Sequence, residues 1–182
     1  MNRLCLLLAA FGLVAVTGKA HAVVGVGVAG ASDTEGDTQS YQIFATLNWE
    51  KDWLKTGNWH LNGYSEGSLA YWDGKKGKTG NDGLVDVGLT PFILHWEKIP
   101  VGSGWFPFIG AGVGLHILSE QGISDQSMGQ LVQFGSHFDM GVRFGQNGRY
   151  GVGYRFQHLS NAGIDDDNDG INLNYLRFTY YF

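Results

Sequence analysis

Apolar and polar residues alternate one for one along most of this chain. Tyr41, Ile43, Ala45, Leu47 and Trp49 take turns with Gln42, Phe44, Thr46, Asn48 and Glu50. Farther on, Ile109, Ala111, Val113, Leu115 and Ile117 alternate mostly with glycines, and Phe134, Phe138, Met140, Val142 and Phe144 alternate with Gln133, His137, Asp139 and Arg143. A period of two belongs to strands, whose successive side chains point to opposite faces. Each run therefore has one apolar face and one polar or very small face. Eight such runs are expected, at about 23–32, 39–51, 58–72, 84–96, 106–118, 131–145, 150–161 and 171–182. No helix-period segment of useful length competes with them.

The connections also alternate. Polar, flexible stretches at 33–39, 73–82, 119–130 and 161–170 take turns with mostly shorter ones around 52–57, 97–105 and 145–149. Outer-membrane barrels have this rhythm, with long loops at one end and short turns at the other. Eight strands make a barrel just wide enough for side chains to fill. Glu66, Asp86, His137, Asp139, Arg143, Arg155 and Arg177 are expected to meet inside, where opposite charges pair. The chain ends with Phe178, Tyr180 and Phe182 at alternate positions, similar to the aromatic C-terminal signature of outer-membrane proteins. The expected fold is all-β: an eight-stranded antiparallel transmembrane β-barrel of the outer-membrane type. A soluble ligand-binding barrel is the competing architecture, but it would turn its apolar face inward and its arginines outward.

The N-terminus supports the same compartment. Arg3, the apolar run Leu4–Val16 and the small-residue site Ala20-His21-Ala22 form a secretory signal peptide pattern, with cleavage expected after Ala22. Residues 1–22 are thus expected to be removed, leaving 23–182 as a single barrel domain in the outer membrane of a Gram-negative bacterium. Cys5, the one cysteine, falls in the removed segment, so no disulfide framework or thiol chemistry is expected. Taking Arg3 and Lys19 from the 12 basic residues leaves 10 against 17 acidic ones, a net charge near −7. That balance excludes nucleic acid as a natural partner. Outer-membrane lipid remains, and a homodimer stays open beside a monomer.

Candidate chemistry sits in YRFQHLSNAG, Tyr154 to Gly163. Strand parity puts His158 and Ser160 on the face of Tyr154 and Phe156, which is the lipid face, while Arg155 and Gln157 point inward. Two residues apart on one face, their Cα atoms lie roughly 6–7 Å from each other, within reach of a histidine base and a serine hydroxyl. With both termini in the periplasm, His158 and Ser160 come at the outer-leaflet end of the seventh strand. Asn172 has outward parity near the start of the eighth strand, so all three converge on the outer wall. Polar groups facing hydrocarbon are costly and mark function. For His60, His95, His116 and His137, interior or interfacial packing is the expected role.

The stretch HLSNAGIDDDNDGIN resembles the terminal motif of the PagL lipid A 3-O-deacylases, H-x-S-N-A followed by N-[DP]-G and an acidic residue. The resemblance implies a serine esterase that removes the ester-linked acyl chain at the 3-position of lipid A, the lipid anchor of lipopolysaccharide. It implies Ser160 as nucleophile and His158 as base, with Asn161, Gly163 and Asn168 lining or shaping an oxyanion site. No metal and no organic cofactor belong to that scheme. One departure stands out: where the best-known members carry glutamate, this chain has Asn172. An amide carbonyl can orient an imidazole but supplies no charge to stabilise imidazolium. Asp169 is the alternative acid.

Three other readings compete. A non-catalytic small barrel, structural or surface-interacting or a degenerate relative of the deacylases, would have no use for an outward H-x-S-N. An acyltransferase with its site inside the barrel would not turn these side chains to lipid. The run DDDNDG at 165–170 matches half of a calcium loop, yet the twelfth position is Leu176 rather than glutamate.

Overall fold

The computed structural model describes residues 23–49 and 51–182, so the expected signal peptide lies outside the described residues. Eight long strands occur: β1 Val23–Asp33, β2 Thr38–Asn48, β3 Trp59–Gly74, β4 Gly83–Lys98, β5 Ser103–Leu118, β6 Val132–Gln146, β7 Tyr150–Ser160 and β8 Ile171–Tyr181. They fall within a few residues of the runs expected from alternation. Each pairs antiparallel with the next, and β8 pairs with β1, so the sheet closes on itself as a barrel without free long edges. A short strand, Leu54–Thr56, extends the β2–β3 connection, and a small hairpin pairs Gly122–Ile123 with Gln126–Ser127 in the β5–β6 connection. No helix occurs among the described residues.

The wall is apolar outside. Val28, Leu89, Phe92, Ile109, Val113, Phe138, Met140, Tyr154 and Phe178 are all exposed. Exposure of this kind is tolerable only against lipid, since soluble monomers do not present apolar belts this continuous. Rings gather toward the short-turn end, where Trp105, Phe144, Tyr150 and Tyr180 form a chain of contacts with centroids 5.6–5.7 Å apart. Aromatic girdles are the usual interfacial anchor of such barrels.

Strict parity breaks once in β4. Val85, Val87 and Leu89 face out, and then Phe92 and Leu94 do, an offset of one residue. The register with both β3 and β5 slips there, at a bulge containing Pro91. Proline has no N–H for the ladder and is accommodated at bulges. The Ser65 hydroxyl donates to the Pro91 carbonyl at 2.9 Å.

The charged residues expected inside do meet there, in three separate groups. Arg155 donates to Asp139 at 2.6 and 3.0 Å and to Glu66 at 2.6 and 3.3 Å, while Arg177 donates to Glu66 at 2.5 Å. The Arg177 guanidinium carbon lies over the Phe44 ring, 3.9 Å from its centroid. Nearer the short turns, Glu97 accepts from Arg143 at 3.2 Å and from Asn62 at 2.9 Å, with His60 Nε2 at 3.1 Å. Asp86 binds His116 Nδ1 at 2.9 Å on the third site.

Toward the long-loop end the interior turns apolar. Trp72, Leu84, Leu118, Leu159, Ile171 and Leu173 form one cluster with Ile123 and Met128 of the β5–β6 connection. That connection folds over the mouth of the barrel, and its buried Ile123 and Met128 need apolar partners. The inward positions near the long loops are therefore leucine and isoleucine rather than charged.

Candidate active site

On β7 the two faces are sharply distinguished: Tyr154 is 39% exposed and Arg155 1%. His158 and Ser160 continue the outward parity as the last two outward positions of the strand, each half-buried. The ladder sets His158 directly opposite Asn172 on β8. Their side chains are bonded, with His158 Nδ1 2.8 Å from Asn172 Oδ1. A carbonyl oxygen only accepts, so Nδ1 carries the proton and Nε2 keeps its lone pair. That is the tautomer a base needs when its target proton lies on the other side of the ring.

Gly170 closes the site from above. Its φ is +67°, and a Cβ there would come 3.2 Å from His158 Cε1 and 3.1 Å from the Leu159 carbonyl. Only glycine meets both demands, the left-handed backbone and the close approach to the ring. The Asn172 main chain is steadied from the other flank, because its backbone carbonyl accepts from the Thr34 N–H at 3.1 Å.

Asp169 is directed elsewhere. Its carboxylate accepts from the Ser127 N–H at 2.8 Å, and its own N–H donates to the Ser127 carbonyl at 2.9 Å. Of the two candidate partners for the imidazole, the structure brings Asn172 to His158 and turns Asp169 to the β5–β6 connection.

Comparison with known proteins gives the family. The family model described as lipid A 3-O-deacylase (PagL) matches residues 38–181. The lipid A deacylase PagL of Pseudomonas aeruginosa is 33% identical over 142 residues, 78% of this chain and 76% of that protein. Its namesake in Bordetella bronchiseptica is 32% identical over 145 residues, 75% of each. A crystal structure of the outer membrane enzyme PagL superposes with a TM-score of 0.75 at 27% identity, covering 87% of this chain and 99% of that one. The chain belongs to the PagL family.

Within the PagL fold, the loop after Ser160 has its own internal order. Asn161 is buried; its backbone N–H donates to Asn168 Oδ1 at 3.0 Å, and its side-chain carbonyl accepts from the Gly163 N–H at 2.9 Å. Ala162 follows in the left-handed region at φ +57° and Gly163 at +77°. For alanine that conformation costs about 1 kcal/mol or more and persists only when its surroundings impose it. Asn161 and Gly163 thus use their amides to shape the turn, and Asn168 retains its NH2 group as a donor. The four other histidines among the described residues lie on the inner side: His95, His116 and His137 are buried, and His60 bonds Asp52 at 2.8 Å and Glu97 at 3.1 Å. Two contributors were not singled out from sequence. Gly170 is the glycine of the N-[DP]-G element, so a local mark existed. The β5–β6 connection, 119–131, touches the site only through the fold.

Proposed function

We propose that the protein hydrolyses the 3-O-linked acyl ester of lipid A, with Ser160 as nucleophile, His158 as general base and Asn172 as the group that orients the ring. The observation that carries this reading is the 2.8 Å bond from His158 Nδ1 to Asn172 on the lipid-facing wall, with Ser160 two residues beyond on the same face. A base held in this way leaves Nε2 to take the Ser160 proton as Oγ adds to the ester carbonyl. The oxyanion is met by the donors that the loop's own bonds leave over, the Ala162 N–H and the Asn168 NH2. Collapse breaks the bond to the sugar oxygen, which recovers its hydrogen from the imidazolium. Water, deprotonated by His158, then releases the acyl-enzyme as a free fatty acid. A carbonyl in place of a carboxylate fixes the tautomer without stabilising imidazolium, so a modest turnover is expected.

The lipid-facing placement suits the substrate. Lipid A presents its ester in the outer-leaflet boundary, and a site on the outer wall meets it without extraction from the membrane. Ser160→Ala and His158→Ala should each reduce fatty-acid release by about a thousandfold or more, because nucleophile and base act as a unit. Both variants should still fold as heat-modifiable barrels. Mass spectrometry of lipid A treated with the purified proteins reads the result, and wild-type loss of the 3-O chain by Ser160→Ala refutes the assignment.

A further inference from the structure

The turn that follows Ser160 is held from outside its own loop. Asn161 Nδ2 donates to the Met128 carbonyl of the β5–β6 connection at 3.2 Å, as well as to the Asp167 carbonyl of its own loop at 3.2 Å. Around this point the two connections are stitched together. Ser127 and Asp169 exchange backbone and side-chain bonds at 2.8 and 2.9 Å, the Ser127 hydroxyl donates to Asp167 at 2.6 Å, and Gln130 Nε2 donates to Asp165 at 2.9 Å. Met128 itself is anchored, since its side chain is fully buried in the apolar layer with Leu159 and Ile171. The backbone runs so close that a Cβ on Gly129 would fall 2.0 Å from the Asp167 carbonyl oxygen.

We infer that residues 127–129 of the β5–β6 connection are positioning residues for hydrolysis, a clamp that holds the Asn161–Gly163 turn in its strained form. The inference rests on Ser160 being the nucleophile. Without the clamp the only restraint on a left-handed Ala162 is the loop's own bonding, in a segment otherwise open to solvent. With it, Asn161 is bonded to a carbonyl whose residue is rooted in the barrel interior. The amides next to Ser160 are then fixed before substrate arrives, which is what an oxyanion site requires. Met128 and Gly129 touch neither substrate nor the reacting atoms; they act through Asn161 and Asp167.

Gly129→Ala tests this directly. The added methyl drives the two connections apart, and kcat should fall between about tenfold and a hundredfold, the scale of a displacement near one ångström. KM should stay within about twofold, because the lipid-facing wall that binds substrate is untouched. Gly36→Ala is the control. Gly36 has φ +77° in the β1–β2 turn with nothing within 4 Å of an added Cβ, so it imposes equal backbone strain without a collision, and its kcat should match wild type. Ser127→Ala, which removes one stitch and adds no strain, should lower kcat by a smaller factor and serves if Gly129→Ala fails to fold. All are assayed as full-length barrels in mixed micelles of detergent and lipid A beside Ser160→Ala. Wild-type kcat in Gly129→Ala or, should that variant not fold, in Ser127→Ala overturns the clamp while an inactive Ser160→Ala leaves the nucleophile standing. An equal loss in Gly36→Ala overturns it too, since strain alone would then suffice. Activity in Ser160→Ala removes the ground of both.

Discussion

The two faces of β7 use polar residues for opposite ends. On the inner face Arg155 reaches two carboxylates through four bonds, and every one of its partners lies inside the barrel. On the outer face, His158 and Ser160 stand against lipid with one hydrogen-bonding side chain between them among the described residues, the Asn172 amide. Inside, the charges are paired and hold strands together across the lumen. Outside, polarity is left partly uncompensated, as the proposed esterase site requires. Substitutions on one face should therefore cost stability and on the other activity.

The largest separation comes from Arg155→Leu set beside Ser160→Ala. Removing the guanidinium leaves Asp139 without its cation and Glu66 with Arg177 alone, and breaking a buried pair in this way costs about 3–5 kcal/mol. The unfolding midpoint in urea should drop accordingly, while fatty-acid release per folded barrel stays near wild type. Ser160→Ala should show the reverse, an unchanged midpoint and no release. A variant of Arg155 that unfolds no more easily than wild type would break the comparison on its inner side.

A finer test lies within the outer face. Asn172→Leu removes the acceptor for His158 Nδ1, a loss of about 1–2 kcal/mol, or roughly five- to thirtyfold in rate. Asn172→Glu should equal or exceed wild type, because a carboxylate both orients the ring and stabilises imidazolium. Asp169→Ala loosens a stitch to Ser127 and should cost less than Asn172→Leu. Rates of fatty-acid release by the three variants, measured side by side, decide the order. A silent Asn172→Leu beside an inactive Asp169→Ala would transfer the orienting role to the aspartate.

The alternation of residues such as Phe138, Met140 and Val142 with His137, Asp139 and Arg143 made the barrel legible, because a period of two is a local property of strands. The outward placement of His158 and Ser160, and of Asn172 opposite His158, was legible through parity for the same reason. The bulge at Pro91 was not. A one-residue slip shows in sequence only as a local phase change, and proline is as common in turns. The partners Glu97 for Arg143 and His116 for Asp86 depend on which inward side chains share a height in the barrel, and strand register sets that. Met128 and Gly129 lie about thirty residues from Ser160 along the chain, and nothing in their own neighbourhood marks them. Their contact with Asn161 exists only after the barrel closes and the β5–β6 connection folds over its mouth.

The smallest effect is expected where the clamp is most exposed. The Asp167 backbone N–H, and after it the Gln130 side chain, hold the Asp165 carboxyl below its ordinary value of 3.8. A depressed value means that the contact favours the docked loop above about pH 4 and that this preference is lost as pH falls through the lowered value. The group is open to solvent, so screening keeps the contribution slight. Asp165→Asn should therefore slow fatty-acid release by less than about twofold at neutral pH. Its ratio to wild type should approach unity in acid, where both side chains are uncharged. Taking the ratio cancels every other pH dependence that the two proteins share. A loss as large as that of Gly129→Ala would show that the carboxylate does more than steady a loop, and a ratio that moves away from unity as the solution is acidified would contradict the direction of the shift.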